Sequence, residues 1–258
     1  MGSSVRADAS VAASVTVSPV SRADAAASLG SLGRMSQRLL FPDHHAAADA
    51  LTFASRAARL GDGAVRLRAA DGVLAMTSAP FAPRGLLDST PTVLGLRVLR
   101  VDAELVCDLV VEASELVAAP DDGRAVVLPE TGLAPPWAGV SPPRGGWSED
   151  GAVAASVLAT RAQWGIAAVA EAMPQDPGED IVRTIRASVW GVPDDALGGL
   201  PLGVAFAAFG LGFIAGDEQA QRRTAGAWTR LTLARGHVLV RGPVRTGLTP
   251  VRTTGTPR

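Results

Sequence analysis

Apolar residues at helical spacing mark the first structured stretch of the chain. In FPDHHAAADALTFASRAARLG, Leu51 and Ala54 belong to a helical repeat, which predicts one helix near the start of the chain. Asp43 precedes the repeat and is a residue type that caps helix N-termini, whereas Gly61 is typical of a helix end.

Alternating apolar and polar residues then predict strands. AVRLRAADGVLAMTSAP alternates on both sides of Asp71-Gly72, a pair typical of a β-hairpin turn. TVLGLRVLRVDAELVCDLVVE predicts a second antiparallel pair over residues 93–101 and 105–111, with Cys107 in its second strand. SELVAAP predicts a short helix that ends at Pro120.

The pattern changes after GLAPPWAGVSPPRGGW (residues 132–147), whose prolines and glycines favour neither a regular helix nor a central strand. Helices are predicted in GAVAASVLATRAQWGIAAVAEAM, GEDIVRTIRASVWG and LPLGVAFAAFGLGFIA, and a β-hairpin in AWTRLTLARGHVLVRG. The predicted fold class is α+β: an N-terminal helix with about four mainly antiparallel strands, then a mainly helical part ending in a β-hairpin.

The same change of pattern predicts five parts along the chain. They are a disordered leader (1–34), an α+β part (35–119), a Pro/Gly/Trp-rich joint (120–148), a helical part with a terminal β-hairpin (149–245) and a disordered tail (246–258). Within the joint, we expect Trp137 and Trp147 to pack against one or both neighbouring parts.

Composition narrows the range of partners. The formal net charge is −1, so no overall field steers the chain toward nucleic acid or an anionic membrane. All 24 basic residues are arginine. A single cysteine, Cys107, allows no intramolecular disulfide, which agrees with a cytoplasmic location. The leader lacks the apolar stretch of a secretory signal.

Four segments of the sequence resemble segments of a group of uncharacterised actinobacterial proteins: PTVLGLRVLR, PPWAGVSPPRGGW, WGVP and GHVLVR. The resemblance spans most of the chain after the leader. It implies a cytoplasmic bacterial protein and adds nothing about mechanism.

Few side chains in the sequence point to chemistry. His45 and Asp49 share one helix face, but the only histidine outside that helix is His237, far along the chain, so a metal site is not predicted. The sequence has no G-x-S-x-G or Walker loop, and Cys107 lies in an apolar strand, where a thiol is normally inert. We therefore assign no catalytic residue, no cofactor-binding residue and no metal ligand.

The apolar segment from Leu200 to Ala215 is shorter than the ~20 residues that span a bilayer, and it contains Pro201. It predicts a buried helix in which Gly203 and Gly210 allow close packing, with no membrane as a partner.

The leading functional hypothesis is a non-enzymatic cytoplasmic protein that acts through protein–protein contacts or as a homo-oligomer. An exposed apolar patch near Trp164, Trp190 or the joint, with Trp137 and Trp147, would form the contact.

Two alternatives remain open. The C-terminal region from Arg222 onward contains eight arginines and no acid, so Arg230, Arg235 and Arg241 could bind nucleic acid through phosphate contacts. Alternatively, scattered residues such as His45, His237 and Arg97 could assemble an enzyme site.

Overall fold

The computed structural model describes residues 38–85 and 88–242. The predicted leader and tail, residues 1–34 and 246–258, lie outside these described residues. Four α-helices occur in the described ranges: α1 (His44–Ala57), α2 (Ala155–Ala172), α3 (Glu179–Trp190) and α4 (Gly203–Gly210). The described strands are β1 (Arg38–Leu40), β2 (Ala64–Ala70), β3 (Val73–Phe81), β4 (Thr92–Arg100), β5 (Cys107–Glu112), β6 (Val117–Ala118), β7 (Ala125–Val127), β8 (Ser148–Ala154), β9 (Pro193–Asp194), β10 (Leu200–Pro201), β11 (Gln219–Ala225), β12 (Trp228–Leu233) and β13 (Gly236–Arg241).

Eight of these strands form one antiparallel sheet in the order β5-β2-β3-β4-β13-β12-β11-β8. Strand β4, from the first half of the chain, pairs directly with β13, from the second half. The predicted fold class is confirmed: the chain is α+β, its strands are mainly antiparallel, and β12 and β13 form the closing hairpin.

Strand alternation gives the sheet two different faces. On β13, Val238 and Val240 join the main core with the helices, while Leu239 points to the opposite side and joins a smaller cluster with Trp137. We call the side covered by the helices the helical face and the other side the outer face. The core therefore has two layers, one on each side of the sheet.

The beginning of α1 follows the prediction, but its end does not. Asp43 caps the helix, because its Oδ1 accepts a hydrogen bond of 2.8 Å from the backbone amide of Ala46. The helix ends at Ala57, before Gly61. Gly61 has a φ of 60°, and a Cβ there would lie 2.0 Å from the carbonyl oxygen of Ala79. Gly61 is therefore required by the close approach of β3 and does not end the helix.

The predicted hairpin at Asp71-Gly72 is confirmed. Both residues have positive φ angles, 52° and 73°, as a two-residue turn between twisted strands requires. SELVAAP is not the predicted short helix: a 3₁₀ helix (Ala113–Glu115) precedes β6, which pairs with β7. Strands β8 and β11 were not predicted, because β8 is largely exposed and lacks alternation.

The apolar segment after Leu200 contains the predicted buried helix. Within α4, Val204, Ala205, Ala207 and Ala208 have no exposed surface. A Cβ at Gly210 would lie 3.1 Å from a methyl carbon of Leu60, so glycine permits close packing there. No helix within residues 38–85 and 88–242 is long and apolar enough to cross a membrane.

Candidate functional site

The proline- and tryptophan-rich segment, residues 132–147, lies on the outer face of the sheet. The indole Nε1 of Trp137 donates a hydrogen bond of 2.7 Å to the carboxylate of Asp62. From the sheet, Arg66 donates through Nη1 to the carbonyl oxygen of Ala138 at 2.6 Å. Trp137 is only 5% exposed, so it belongs to the outer-face core.

Trp147 packs at the other end of this segment. Its Nε1 donates to the carbonyl oxygen of Pro143 at 3.1 Å, and the guanidinium carbon of Arg230 lies 4.5 Å from its ring centroid. The stacked geometry provides a cation–π attraction. Burial, and then the nearby charge of Arg223, lower the pKa of Arg230. Arg230 is thus partly withdrawn from solvent.

The other two tryptophans that the sequence suggested as contact residues differ in their exposure to solvent. Trp190 is 2% exposed and lies in the main core, whereas Trp164 on α2 is 52% exposed. Of these two tryptophans, Trp164 is the one exposed to solvent, and the guanidinium carbon of Arg161 lies 4.6 Å from its ring centroid.

The arginines of the C-terminal strands are partly neutralised. Arg222 and Arg223 of β11 form ion pairs with Asp150 and Glu149 of β8, at 3.0 and 3.1 Å. Arg241 ends β13 and is half-buried. The described part of the Arg-rich region is therefore not a continuous row of unpaired cations.

The histidines are distributed over different elements. The rings of His44 and His45 lie 3.9 Å apart at the start of α1, while His237 is on β13, with Nδ1 3.1 Å from the hydroxyl of Thr232. No group of three His, Cys, Asp or Glu side chains in the described ranges could hold a metal ion.

We expect His237 to make stability depend on pH. Burial lowers its pKa, and the positive charges of Arg230 and Arg97 lower it further. As pH falls through ~6.5, an unfolded histidine binds a proton before folded His237 does. The contribution of neutral His237 to the free energy of unfolding is therefore fully present above that pH, and it is lost as pH falls toward the pKa of folded His237. In urea unfolding at pH 7.5 and 5.5, His237→Gln should lose less stability between the two pH values than the wild type. Equal losses would contradict this role.

A pocket of about 220 Å³ lies between α1 and the loop that follows α4, and we call it the basic pocket. Three arginines line it: Arg56 from α1, Arg97 from β4 and Arg235 from the turn between β12 and β13. Two of them, Arg97 and Arg235, had been singled out in the sequence for different reasons. Folding brings them together, since Arg97 donates to the carbonyl oxygen of Arg235.

One carboxylate, Asp49, also lines the basic pocket. It accepts a hydrogen bond of 3.0 Å from Nε of Arg97 and a second one from Nη2 of the same residue. Arg56 donates through Nη1 to the carbonyl oxygen of Leu211 at 3.0 Å. Sequence reasoning missed Arg56, although Asp49, Phe53 and Arg56 follow the spacing of one helix face.

A second pocket, of about 260 Å³, lies between β3, α3 and the 3₁₀ helix Pro136–Gly139. Burial alone lowers the pKa of Arg186, whose guanidinium lies 6.0 Å from the ring of Phe81 and 5.9 Å from that of Phe206. The charged lining is balanced, with three residues of each sign: Arg84, Arg183, Arg186, Asp62, Asp88 and Glu179. The pocket therefore has no net charge with which to select an ion.

The exposed face of α2 is unusually poor in charge. Within its 18 residues, the charged side chains are Arg161 and Glu171. Arg161 points to Asp194, to which its Nε donates at 2.7 Å. Trp164 and Ile166 are 52% and 41% exposed. The guanidinium carbon of Arg161 also lies 4.6 Å from the ring centroid of Trp164, so the charged groups near this face are Glu171 and the partly exposed Arg161.

Two of the solved structures to which the chain is similar are DNA polymerase sliding clamps. The DNA polymerase sliding clamp of Caulobacter crescentus is 14% identical, with a TM-score of 0.42; the match covers 86% of this chain and 69% of that one. A DnaN sliding clamp from Bartonella birtlesii, bound to griselimycin, is 12% identical, with a TM-score of 0.44 and coverages of 80% and 65%. The present chain thus spans about two thirds of their length.

No curated protein matches the sequence. Two domains of unknown function match it in succession: DUF8010 over residues 35–139 and DUF8185 over residues 142–245. The matched ranges meet within the proline- and tryptophan-rich segment. Together they agree with the resemblance to an uncharacterised group of proteins.

Proposed function

We propose that the protein acts through protein–protein contacts, and that α2 forms a contact between two copies of the chain. The observation that carries the proposal is the exposure of two large apolar side chains on a face of α2 that is poor in charge: Trp164 is 52% exposed and Ile166 is 41% exposed. Large exposed apolar side chains on a surface with few charges favour burial against a protein partner.

The shape of this face supports a helix–helix contact. Its centre consists of small or uncharged residues that are exposed, Thr160, Gln163 and Ala167, whereas Trp164 and Ile166 lie on opposite flanks. Small central residues let a second helix approach closely, and the two large side chains then cover its sides.

The distribution of polar groups supports a second copy as the partner. An antiparallel twofold contact centred on Ala167 places Gln163 opposite Glu171 of the partner subunit, because each lies four residues from the centre. The Gln163 amide donates hydrogen bonds and the Glu171 carboxylate accepts them, so two such pairs would form by symmetry.

A charge at the centre of this face should prevent association. Ala167→Glu would place two carboxylates near the twofold axis, where we expect dimerisation to weaken at least about tenfold, or ~1.4 kcal/mol. Sedimentation equilibrium should show a dimer for the wild type and a shift to monomer for the variant.

Ala48→Glu is the matched control, because Ala48 is an exposed alanine in the second turn of α1. This variant should dimerise like the wild type, and circular dichroism should show that both variants keep their helices. A wild-type protein that is monomeric at all concentrations, or an Ala167→Glu variant that still dimerises normally, would overturn the proposal.

Nucleic-acid binding through Arg230, Arg235 and Arg241, and an enzyme site built from His45, His237 and Arg97, stay as alternative predictions. The ion pairs of Arg222 and Arg223 do not favour the first.

A further inference from the structure

The basic pocket has an excess of positive charge. Its lining contains three guanidinium groups and one carboxylate. Asp49 is already bound to Arg97, and the side chain of Arg235 has no described hydrogen bond or ion pair that would neutralise it. Each guanidinium carries several N–H donors, so most donors of Arg56 and Arg235 remain available for a ligand.

The pocket is also built to hold these cations close together. A Cβ at Gly212 would lie 1.6 Å from Nη1 of Arg56, so only glycine lets this guanidinium pack on the backbone there. Gly212 has a φ of 69°, which again favours glycine. Arg97 is fixed from two sides, by Asp49 and by the carbonyl oxygen of Arg235. Two of the three guanidinium groups are therefore held in place before any ligand binds.

Apolar walls strengthen the electrostatics of this pocket. Phe53 and Phe213 lie in its lining, with ring centroids 6.1 Å apart and planes 7° from parallel, and both are almost fully buried. Charges beside such low-dielectric surfaces interact more strongly with a bound ion than charges in open solvent do. Guanidinium groups in turn match the paired oxygens of phosphate in geometry and charge.

We propose that the basic pocket binds a small phosphate-type oxyanion, either free or as the terminal phosphate of a small phosphomonoester. Its volume of about 220 Å³ is below the range of sites that enclose a drug-sized ligand, which favours a compact anionic group. The three arginines come from both halves of the chain, so the anion would bridge α1 and β4 to the β12–β13 turn.

Isothermal titration calorimetry at constant ionic strength tests the proposal. The probes are inorganic phosphate, pyrophosphate and glucose 6-phosphate, with chloride as the balancing anion. We expect at least one probe to bind the wild-type protein. Tighter binding of inorganic phosphate or pyrophosphate identifies a free anion, whereas tighter binding of glucose 6-phosphate identifies a phosphomonoester.

Two variants that each remove one positive charge distinguish binding in the basic pocket from nonspecific electrostatic attraction of the anion to the protein. Arg235→Gln removes an exposed guanidinium from the pocket, and we expect at least about tenfold weaker binding. Arg100→Gln removes an exposed guanidinium from the same strand as Arg97 but outside the pocket, and binding should change by less than about twofold. Equal effects of the two variants would overturn the proposal, as would the absence of binding by all three probes.

The imidazole of His237 provides a second readout, because the charge of Arg97 contributes to lowering its pKa. A bound anion offsets that charge, so the His237 pKa followed by NMR should rise when the binding probe is added. The resonance is identified by its loss in His237→Gln. An unchanged titration in the presence of saturating probe would contradict binding beside Arg97.

Discussion

Replacing Trp190 with alanine is expected to lower the free energy of unfolding by about 3–5 kcal/mol, because a large buried aromatic side chain would leave a cavity. Trp190 is 2% exposed, and its ring centroid lies 4.5 Å from that of Phe206 and 6.2 Å from that of Phe81. It is also the one fully buried residue of α3. The loss should therefore appear both in urea unfolding and as faster amide hydrogen exchange within α3.

Gly165 on α2 provides an independent test of the same packing. A Cβ there would lie 2.2 Å from the Trp190 ring, so Gly165→Ala should destabilise the protein by about 1–3 kcal/mol although alanine is the better helix former. Val192→Ala is the control: Val192 is 53% exposed, and its truncation should change stability by less than about 0.5 kcal/mol. A loss below about 1 kcal/mol for Trp190→Ala would contradict its role as the anchor of α3.

Asp194→Ala should have the second large effect, about 3 kcal/mol. The Asp194 side chain is 8% exposed and accepts a hydrogen bond of 2.7 Å from Nε of Arg161, while its other oxygen accepts one of 2.9 Å from the backbone amide of Ala196. Truncation leaves a partly buried guanidinium without its counter-charge and removes the cap of a 3₁₀ helix. Because the Arg161 side chain is 28% exposed and can turn toward water, we expect the lower end of the usual range.

Urea unfolding of four proteins would test this second prediction: the wild type, Asp194→Ala, Asp195→Ala and the double variant Arg161→Met, Asp194→Ala. Asp195 is the exposed neighbour, so its truncation should cost less than about 0.5 kcal/mol. The double variant should be more stable than the sum of the single effects implies, because it no longer contains an unpaired cation. Equal losses for Asp194→Ala and Asp195→Ala would rule out a structural role for the ion pair.

Local signals predicted the parts of the fold that depend on neighbouring residues. The Asp71-Gly72 turn and the Asp43 cap follow from the chemistry of two or three adjacent positions, and the structure confirms both. Strand β11 was missed because its sequence, QAQRRTA, is polar and its buried positions do not alternate. It is a strand because β8 and β12 pair with it on both sides, which no local pattern reveals.

The candidate sites depend even more on distant residues. Arg97 and Arg235 are 138 positions apart, and their contact requires β4 to pair with β13. Gly165 looks like a weakness of α2 in the sequence, and only the position of Trp190 explains it. The exposed Trp164, in contrast, could be singled out from composition, but the buried Trp190 could not be distinguished from it.

The pairing of β4 with β13 means that each half of the chain covers a strand edge of the other half. A break near residue 140 would leave each fragment with an open strand edge, and β4 would expose Val93, Leu94 and Gly95, which are now buried. Such fragments should aggregate when they are expressed separately, and co-expression should let them reassemble by strand complementation. The eight-stranded sheet is therefore completed only when the strands encoded before the proline- and tryptophan-rich segment pair with those encoded after it.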